Sequence, residues 1–350
     1  MPLDTVALRW CFNRLISGPG PNIRSLASDS WEICPSDITN TPPAIYVASS
    51  LDRITALSPW RNWETERHSI EGRDTEHAAT RAYLIKDVTI SGSFLFHGAA
   101  RTQEGFGSFK LLQNNNNSKE HLSEACLTSC WSGSHYFGVF MRASLPQEML
   151  AQHAETTISM VTKPYDHEAG YRRLLQLPLP TPVTSAHVKR LTLYTDYAHN
   201  ASKAVRFSEL RRRLRTSVGS VGIGRPGAYL KRGETGERRI VVNEQALEDV
   251  LSAKGFDIVE PAKLSPREVS KRLLDVPIIV SVEGSHLAHG IYSVAEGGTF
   301  LVLQPPDRFA MAFKEFTDRA GMRFAFTVGH PADNGFSIDI DELERTLDLL

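Results

Sequence analysis

Between Arg225 and Pro306 the chain repeats one alternation, a short apolar run followed by a turn and a helical stretch. In order, the segments read as a strand (AYLKRG), a basic turn, an amphipathic helix (NEQALEDVLSAKGF), a strand (FDIVEP) and a helix (SPREVSKRLLD). A strand (VPIIVSVEG), a Gly-Ser-His turn opening a helix, and a last strand (TFLVLQPP) complete the series. Strands alternating with helices imply crossover connections, and crossovers give a parallel sheet. VPIIVSVEG and TFLVLQPP are almost wholly apolar, as expected of strands covered on both faces. Asn243 stands at the N-cap of the first helix and Gly255 just past its end, while Ser265 and Pro266 stand at the cap and first turn of the second.

Such sheets bind ligands beyond the carboxyl ends of their strands. Three turns here follow strands and are expected to share one crevice: the basic turn at 231–239, EGSH at 283–286, and QPP at 304–306. The arrangement suits a nucleotide phosphate. Arg232 and Arg239 would meet it, because a guanidinium fork pairs two phosphate oxygens. Gly284, Ser285 and His286 would open a helix whose amides face the same charge, with Gly284 permitting close backbone approach. Each turn also reads as an ordinary charged or strand-to-helix turn. Glu283 suits ribose hydroxyls, or merely starts a helix. His286 and His289, three apart, put one imidazole on phosphate and one along the cleft; as a metal pair they lack a third ligand.

A chain of 350 residues suits two domains better than one core. Its 41% hydrophobic and 23% charged content is that of a soluble globular protein. A net charge of −1 argues against a global field for nucleic acid. LRRRLRTS at 210–217 lacks interleaved aromatics and reads as a solvated helix face, so no nucleic-acid partner is expected. The opening MPLDTVALRWCFNRLISGPG is interrupted by Arg and Asn and lacks a signal-peptide core. No window reaches the roughly 18 apolar residues of a membrane span, so a cytoplasmic location is expected. Cys11, Cys34, Cys126 and Cys130 read as free thiols in a reducing compartment, with a metal or redox role the lesser alternative.

Residues 1–80 are Pro- and Ser-rich and are expected to be irregular with short strands. A domain over 81–217 follows. AYLIKDVTISGSFLFHG reads as a hairpin, LLQNNNNSKEH as an exposed loop, HYFGVFMRASLPQEMLAQH as a helix with a proline break, and VKRLTLYTD as a strand. KAVRFSELRRRLRTSV reads as a helix, and the glycines near 217–227 mark a boundary. The second domain spans 225–330, with a tail helix at 331–350. No solenoid-period repeat is present.

Three of these features resemble glycosyltransferase family 61, the group that includes capsular-polysaccharide transferases. They are YLKRG followed by RRIVVNE, VSVEGSHLAHGIY, and FLVLQPP; YLIKDVTISGSFLFHG and SGSHYFGVFMRASLP are weaker upstream matches. The likeness covers about residues 80–310 and is dense only after 225. It implies an α/β fold of GT-B form, two Rossmann-like domains facing a cleft. It also implies a metal-independent, inverting glycosyltransferase with no cofactor beyond its nucleotide-sugar substrate. The 225–330 domain would bind the donor and the 81–217 domain a glycan or lipid-linked glycan acceptor, in surface-polysaccharide assembly, with peripheral attachment at the inner membrane face compatible. Asn243 and Glu244 would cap their helix or, second, touch the donor.

The resemblance departs where it matters for catalysis. The family's His and Asp positions are Val139 and Ala143 in YFGVFMRASLP. His135, Asp166 and His167 remain as candidate bases on the acceptor side, each also readable as a surface residue. The alternative expectation is a catalytically impaired nucleotide-sugar-binding or scaffold relative.

Overall fold

A computed structural model describes residues 5–18, 20–108, 120–161, 163–219, 224–233 and 239–350. Most of the expected polar loop LLQNNNNSKEH and the middle of the basic turn, 234–238, lie outside the described residues. The chain forms two compact units, neither contiguous in sequence. Unit 1 comprises 1–36, 78–168 and 177–203; unit 2 comprises 37–77, 169–176 and 204–350. This differs from the linear boundaries that composition suggested, because residues 37–77 are bonded into unit 2 while their neighbours on both sides belong to unit 1.

Unit 1 is built on a mixed sheet. Its two long strands, Thr80–Ser91 and Ser185–Thr195, pair antiparallel. Thr80–Ser91 turns at Gly92 (φ +57°) into Phe94–His97, which pairs with Ala100–Gln103. On the other flank, Ser185–Thr195 runs parallel to Glu120–Leu122 and Ala125–Leu127, and the sheet continues through Thr157–Ser159 to Thr181–Pro182. Ile85, Val88, Ile90, Leu127, Ile158, Val188, Leu191 and Leu193 form its core. This sheet is mixed, with the antiparallel pair at its centre. The hairpin is the one that alternation in the sequence indicates. Helix α1 (Thr5–Ser17) was not expected in this segment.

Unit 2 carries five parallel strands: β1 (Ala228–Leu230), β2 (Asp257–Val259), β3 (Ile278–Val282), β4 (Thr299–Gln304) and β5 (Arg323–Val328). Their spatial order, β2-β1-β3-β4-β5, is that of a doubly wound sheet with its switch point between β1 and β3. β4 is buried along its whole length, which accounts for its unbroken apolar run. Helix α2 (Glu244–Ala253) packs Leu247 and Leu251 on Tyr229, Val280, Val282 and Leu301. Helix α3 (Pro266–Leu273) has the capping box expected from its sequence, with Ser265 and Glu268 exchanging bonds. The tail is a short hairpin (His330–Ala332 with Gly335–Ser337) followed by helix α4 (Ile340–Asp348).

Residues 37–77 extend this sheet. Ile45 bridges to Ala325 beside β5, its N–H donating to Phe324 O (2.9 Å) and its carbonyl accepting from Phe326 N (3.0 Å). Buried Glu342 of α4 accepts from Ser50 Oγ (2.5 Å), from Thr327 Oγ1 (2.7 Å) and from the Arg53 guanidinium. The arginines of 211–215 are likewise internal ties. Arg211 donates to Ile291 O and Val294 O (3.3 and 2.7 Å), Arg213 pairs with Glu209, and Arg215 pairs with Asp275. The expected solvated face is therefore largely a staple between helix and loops.

Candidate functional site

The switch point in unit 2 brings together the ends of β1 and β3. Arg232 follows β1, and Glu283 and Gly284 follow β3. Both Arg232 and Arg239 donate through Nη1 to the same main-chain carbonyl, that of Glu283, at 3.4 and 3.0 Å. The buried Glu283 carboxylate also faces Arg239 Nε at 3.3 Å. This places it as the group that positions a guanidinium, where a ribose contact had been expected.

Gly284 makes the convergence sterically possible. Its φ is +150°, and a β-carbon there would lie 2.1 Å from Arg232 Nη1 and 2.7 Å from Arg239 Nη1. Burial and the charges of Arg239 and Arg308 pull the pKa of Arg232 down to about 10, against the opposing pull of Glu283. Arg232 is nonetheless charged at neutral pH, in a place that disfavours its charge.

Arg308 is a member of this group that sequence reasoning missed. It follows the QPP turn at the end of β4, whose position was the available signal. The loop carrying it is shaped by Gln304, whose side chain donates to Ala310 O (2.9 Å) and accepts from Ala310 N (3.3 Å). Pro306 O accepts from Thr55 N (2.7 Å) and Ala56 N (3.2 Å), so residues 37–77 help to fix the turn.

His286 sits behind the arginines. Its Nε2 lies 2.7 Å from Ser281 Oγ, and its Nδ1 lies 3.4 Å from Arg232 Nη1. A guanidinium only donates, so Nδ1 accepts and the ring proton is on Nε2. Ser281 Oγ then accepts from Nε2–H and gives its own proton to Leu230 O at 2.5 Å. Burial first, then Arg232, His289 and Arg239, hold the imidazole pKa well below its ordinary value. His286 is thus a neutral buttress for Arg232.

The remaining candidates take their hydrogen bonds elsewhere, although His289 lies near enough to act on His286. His289 is buried and meets Tyr171 Oη through Nδ1 at 2.7 Å. The segment Ser285–His289 is a five-residue 3₁₀ turn in place of the helix expected after Gly284, so the macrodipole of a long helix is absent. Asn243 makes no side-chain cap; its Nδ2 donates to Ile338 O (2.8 Å) and its Oδ1 accepts from Ile338 N (2.9 Å). Glu244 accepts from Tyr229 Oη (2.8 Å) and lies 4.0 Å from Lys231, which pairs more closely with Glu248 (2.5 Å). The charge of Lys231 is therefore spent inside unit 2. No group of three or more His, Cys, Asp or Glu side chains with metal-holding geometry occurs among the described residues.

In unit 1, His135 ends a short helix, Trp131–His135, with Nδ1 2.8 Å from Trp131 O. A carbonyl only accepts, which puts the ring proton on Nδ1 and leaves Nε2 as an acceptor in the neutral ring. The rings of Trp131 and Phe106 lie with centroids 4.4 Å from it. Asp166 is exposed and His167 half-buried in the turn before Glu168. Tyr165, next to them, donates to Gly133 O (2.9 Å), which ties that turn to the His135 helix. Val139 precedes, and Ala143 lies within, a π-turn over Phe140–Ser144. Pro146 explains it, since its ring crowds the carbonyl four residues back and widens the turn. All four cysteines are free.

The fold and the arginine group define an α/β protein with guanidinium groups gathered at the switch point of a parallel sheet, the place where such sheets take nucleotides and phosphates. The chain belongs to the glycosyltransferase 61 family, whose model matches residues 77–301, more than half of its length. No curated protein matches the chain. No helix among the described residues is long and apolar enough to cross a membrane.

Proposed function

We propose that this family member is a metal-independent, inverting glycosyltransferase of GT-B-like form, acting in surface-polysaccharide assembly in the cytoplasm. Unit 2 takes the nucleotide-sugar donor and unit 1 the glycan acceptor. The observation that carries this reading is the convergence of Arg232 and Arg239 on the Glu283 carbonyl across Gly284, with Arg308 close enough to act on Arg232.

Transfer of a glycosyl group leaves a nucleoside diphosphate, and the departing negative charge must be met by preorganised donors. Arg232, Arg239 and Arg308 supply guanidinium forks, and the amides after Gly284 supply further N–H groups. Glu283 and His286 hold two of those forks before the donor arrives, so little reorganisation is needed at reaction. On the acceptor side, His135 Nε2 is an acceptor in the neutral ring and is the base that suits a sugar hydroxyl, with Asp166 and His167 as the other candidates.

A second reading follows from Val139 and Ala143, which stand where the family pattern has His and Asp: a relative that binds a nucleotide sugar without efficient turnover. One experiment addresses both. Thermal shifts with UDP-, GDP-, CMP- and dTDP-sugars in EDTA, on the wild type and on Arg232→Ala and Arg239→Ala, are followed by assay of donor hydrolysis and transfer. A ligand at 100 times its Kd stabilises by about 2.7 kcal/mol. The transferase reading expects a shift with one nucleotide, lost in both variants, together with turnover. A shift without turnover supports the second reading, and no shift with any donor overturns both.

A further inference from the structure

Unit 1 keeps three large aromatic side chains at its surface around one imidazole. Phe106, Trp131 and Tyr136 are 54%, 41% and 55% exposed. Their ring centroids lie 4.4, 4.4 and 6.1 Å from that of His135. Exposed rings gathered this closely mark a recognition surface, whereas aromatics scattered singly need no explanation. The group is also held from behind. Gln103 Nε2 donates to Gly105 O (3.2 Å) and Gly107 O (2.7 Å), and Ser93 Oγ donates to Phe106 O, so the turn carrying Phe106 is bonded at three carbonyls. Buried Glu104, at the start of that turn, accepts from Arg24 Nη2 at 2.7 Å. The bond from His135 Nδ1 ties the imidazole to Trp131 O, and Tyr165 Oη donates to Gly133 O between them. The rings are thus set in place before a ligand arrives, which lowers the ordering cost of binding.

The chemistry of the patch says what would cover it. With its proton on Nδ1, His135 presents Nε2 as an acceptor that takes no hydrogen bond from the described residues. Hydrocarbon alone over that nitrogen would strip it of water without return. The occupant must therefore lie on aromatic faces and also bring an O–H or N–H to the imidazole. A pyranose does both. Its ring C–H groups, polarised by neighbouring oxygens, are drawn to the negative faces of aromatic rings, and hydroxyls surround that C–H face. The Phe106 and Trp131 rings are inclined 57° and 41° to the imidazole, so the three do not offer a flat base the parallel faces it stacks between.

From this combination we propose that Phe106, Trp131 and Tyr136 form a stacking subsite for a pyranose ring, with one sugar hydroxyl donating to His135 Nε2. The inference rests on the assignment of unit 1 to the glycan acceptor and deepens it by naming the residues that select the acceptor. They favour a sugar with one face free of axial hydroxyls, because an axial hydroxyl would be pressed, unbonded, against an aromatic ring.

The test is NMR of the full chain with the methyl β-glycosides of glucopyranose, galactopyranose and xylopyranose, with uridine and adenosine as flat-ring controls. The expected result is saturation transfer to the ring C–H protons of a glycoside, reduced about tenfold in a Phe106→Ala/Trp131→Ala variant. Both side chains are exposed, so the variant should keep the wild-type Tm. In the wild type, the indole N–H signal that is missing from Trp131→Phe should shift on addition of the same glycoside, a readout that does not depend on the double variant. Absence of both responses with every glycoside overturns the proposal, as does undiminished saturation in the double variant. A response to uridine or adenosine alone would assign the rings to a base, and a wild-type dimer that the double variant converts to monomer would assign them to a second copy; either refutes a sugar subsite. A donor-induced thermal shift lost in Arg232→Ala, without any glycoside response, sinks this inference alone. A glycoside response without any donor shift sinks the transferase reading and leaves a sugar-binding surface.

Discussion

Asn243 and Ile338 exchange two hydrogen bonds, the amide of one side chain pairing with both main-chain groups of the other residue. The bond pair joins the start of α2 to the segment before α4, and it uses both functions of the amide. Asn243→Ser would preserve capping ability but lose the pair, whereas a residue that merely capped would tolerate the change. The expected loss is about 1–3 kcal/mol in urea denaturation, with serine no better than alanine. Equal stability of the serine variant and wild type would return Asn243 to a capping role.

Gly284→Ala places a methyl group where Arg232 Nη1 now sits and fixes a side chain at a φ that disfavours it. Strain of this kind costs about 1–3 kcal/mol. The variant is expected to fold with reduced Tm and to lose the donor-induced thermal shift, because the guanidiniums must move apart. An unchanged shift would separate Gly284 from the site.

Arg308→Ala tests the electrostatic reading. Removing one of three neighbouring cations relieves Arg232, whose pKa is depressed to about 10. Donor affinity should fall about 10- to 100-fold, the worth of a charge-assisted bond. Isothermal titration calorimetry with the nucleotide found in the thermal-shift panel measures it.

The buried imidazole of His286 gives unit 2 a pH dependence. Its folded pKa lies well below 6.5, its ordinary value. Below about pH 6.5 the unfolded chain therefore takes up a proton that the folded chain refuses, and stability falls as pH falls. His68 and His77, also lowered chiefly by burial, act in the same direction. The limiting slope for His286 is about 1.4 kcal/mol per pH unit. Denaturation curves between pH 8 and 5 should show the decline, and His286→Gln should make it shallower. Equal slopes in the wild type and His286→Gln would contradict the neutral buttress.

The parallel half of the fold was legible because each of its elements is local: apolar runs for β3 and β4, a Ser-Pro start for α3, Gly255 closing α2. Arg232 and Gly284 were nameable for the same reason, since each lies two residues past a strand end, and Arg239 because it closes the same basic turn. Arg308 could not, because its membership depends on the order in which β1, β3 and β4 lie side by side. Asn243 and Glu244 misled for a related reason, since a cap and a long-range clamp demand the same residue types. Residues 37–77 carried no pattern because single contacts attach them to unit 2, such as Ile45 on β5 and Arg53 on Glu342. His135, Asp166 and His167 were found as isolated letters; the bond from Tyr165 to Gly133 and the packing of its ring on Phe137 and Phe140 relate their segments.

The grip of Glu342 on Ser50 and Arg53 has a bearing on synthesis of the chain. A ribosome delivers residues 37–77 long before residue 342 exists, so these early residues must wait, unpaired with their final partners, through most of translation. Unit 2 can close only when the last helix emerges. Truncations that remove that helix, and chains cut near residue 217 to isolate a C-terminal half, would each leave one side of this clasp missing.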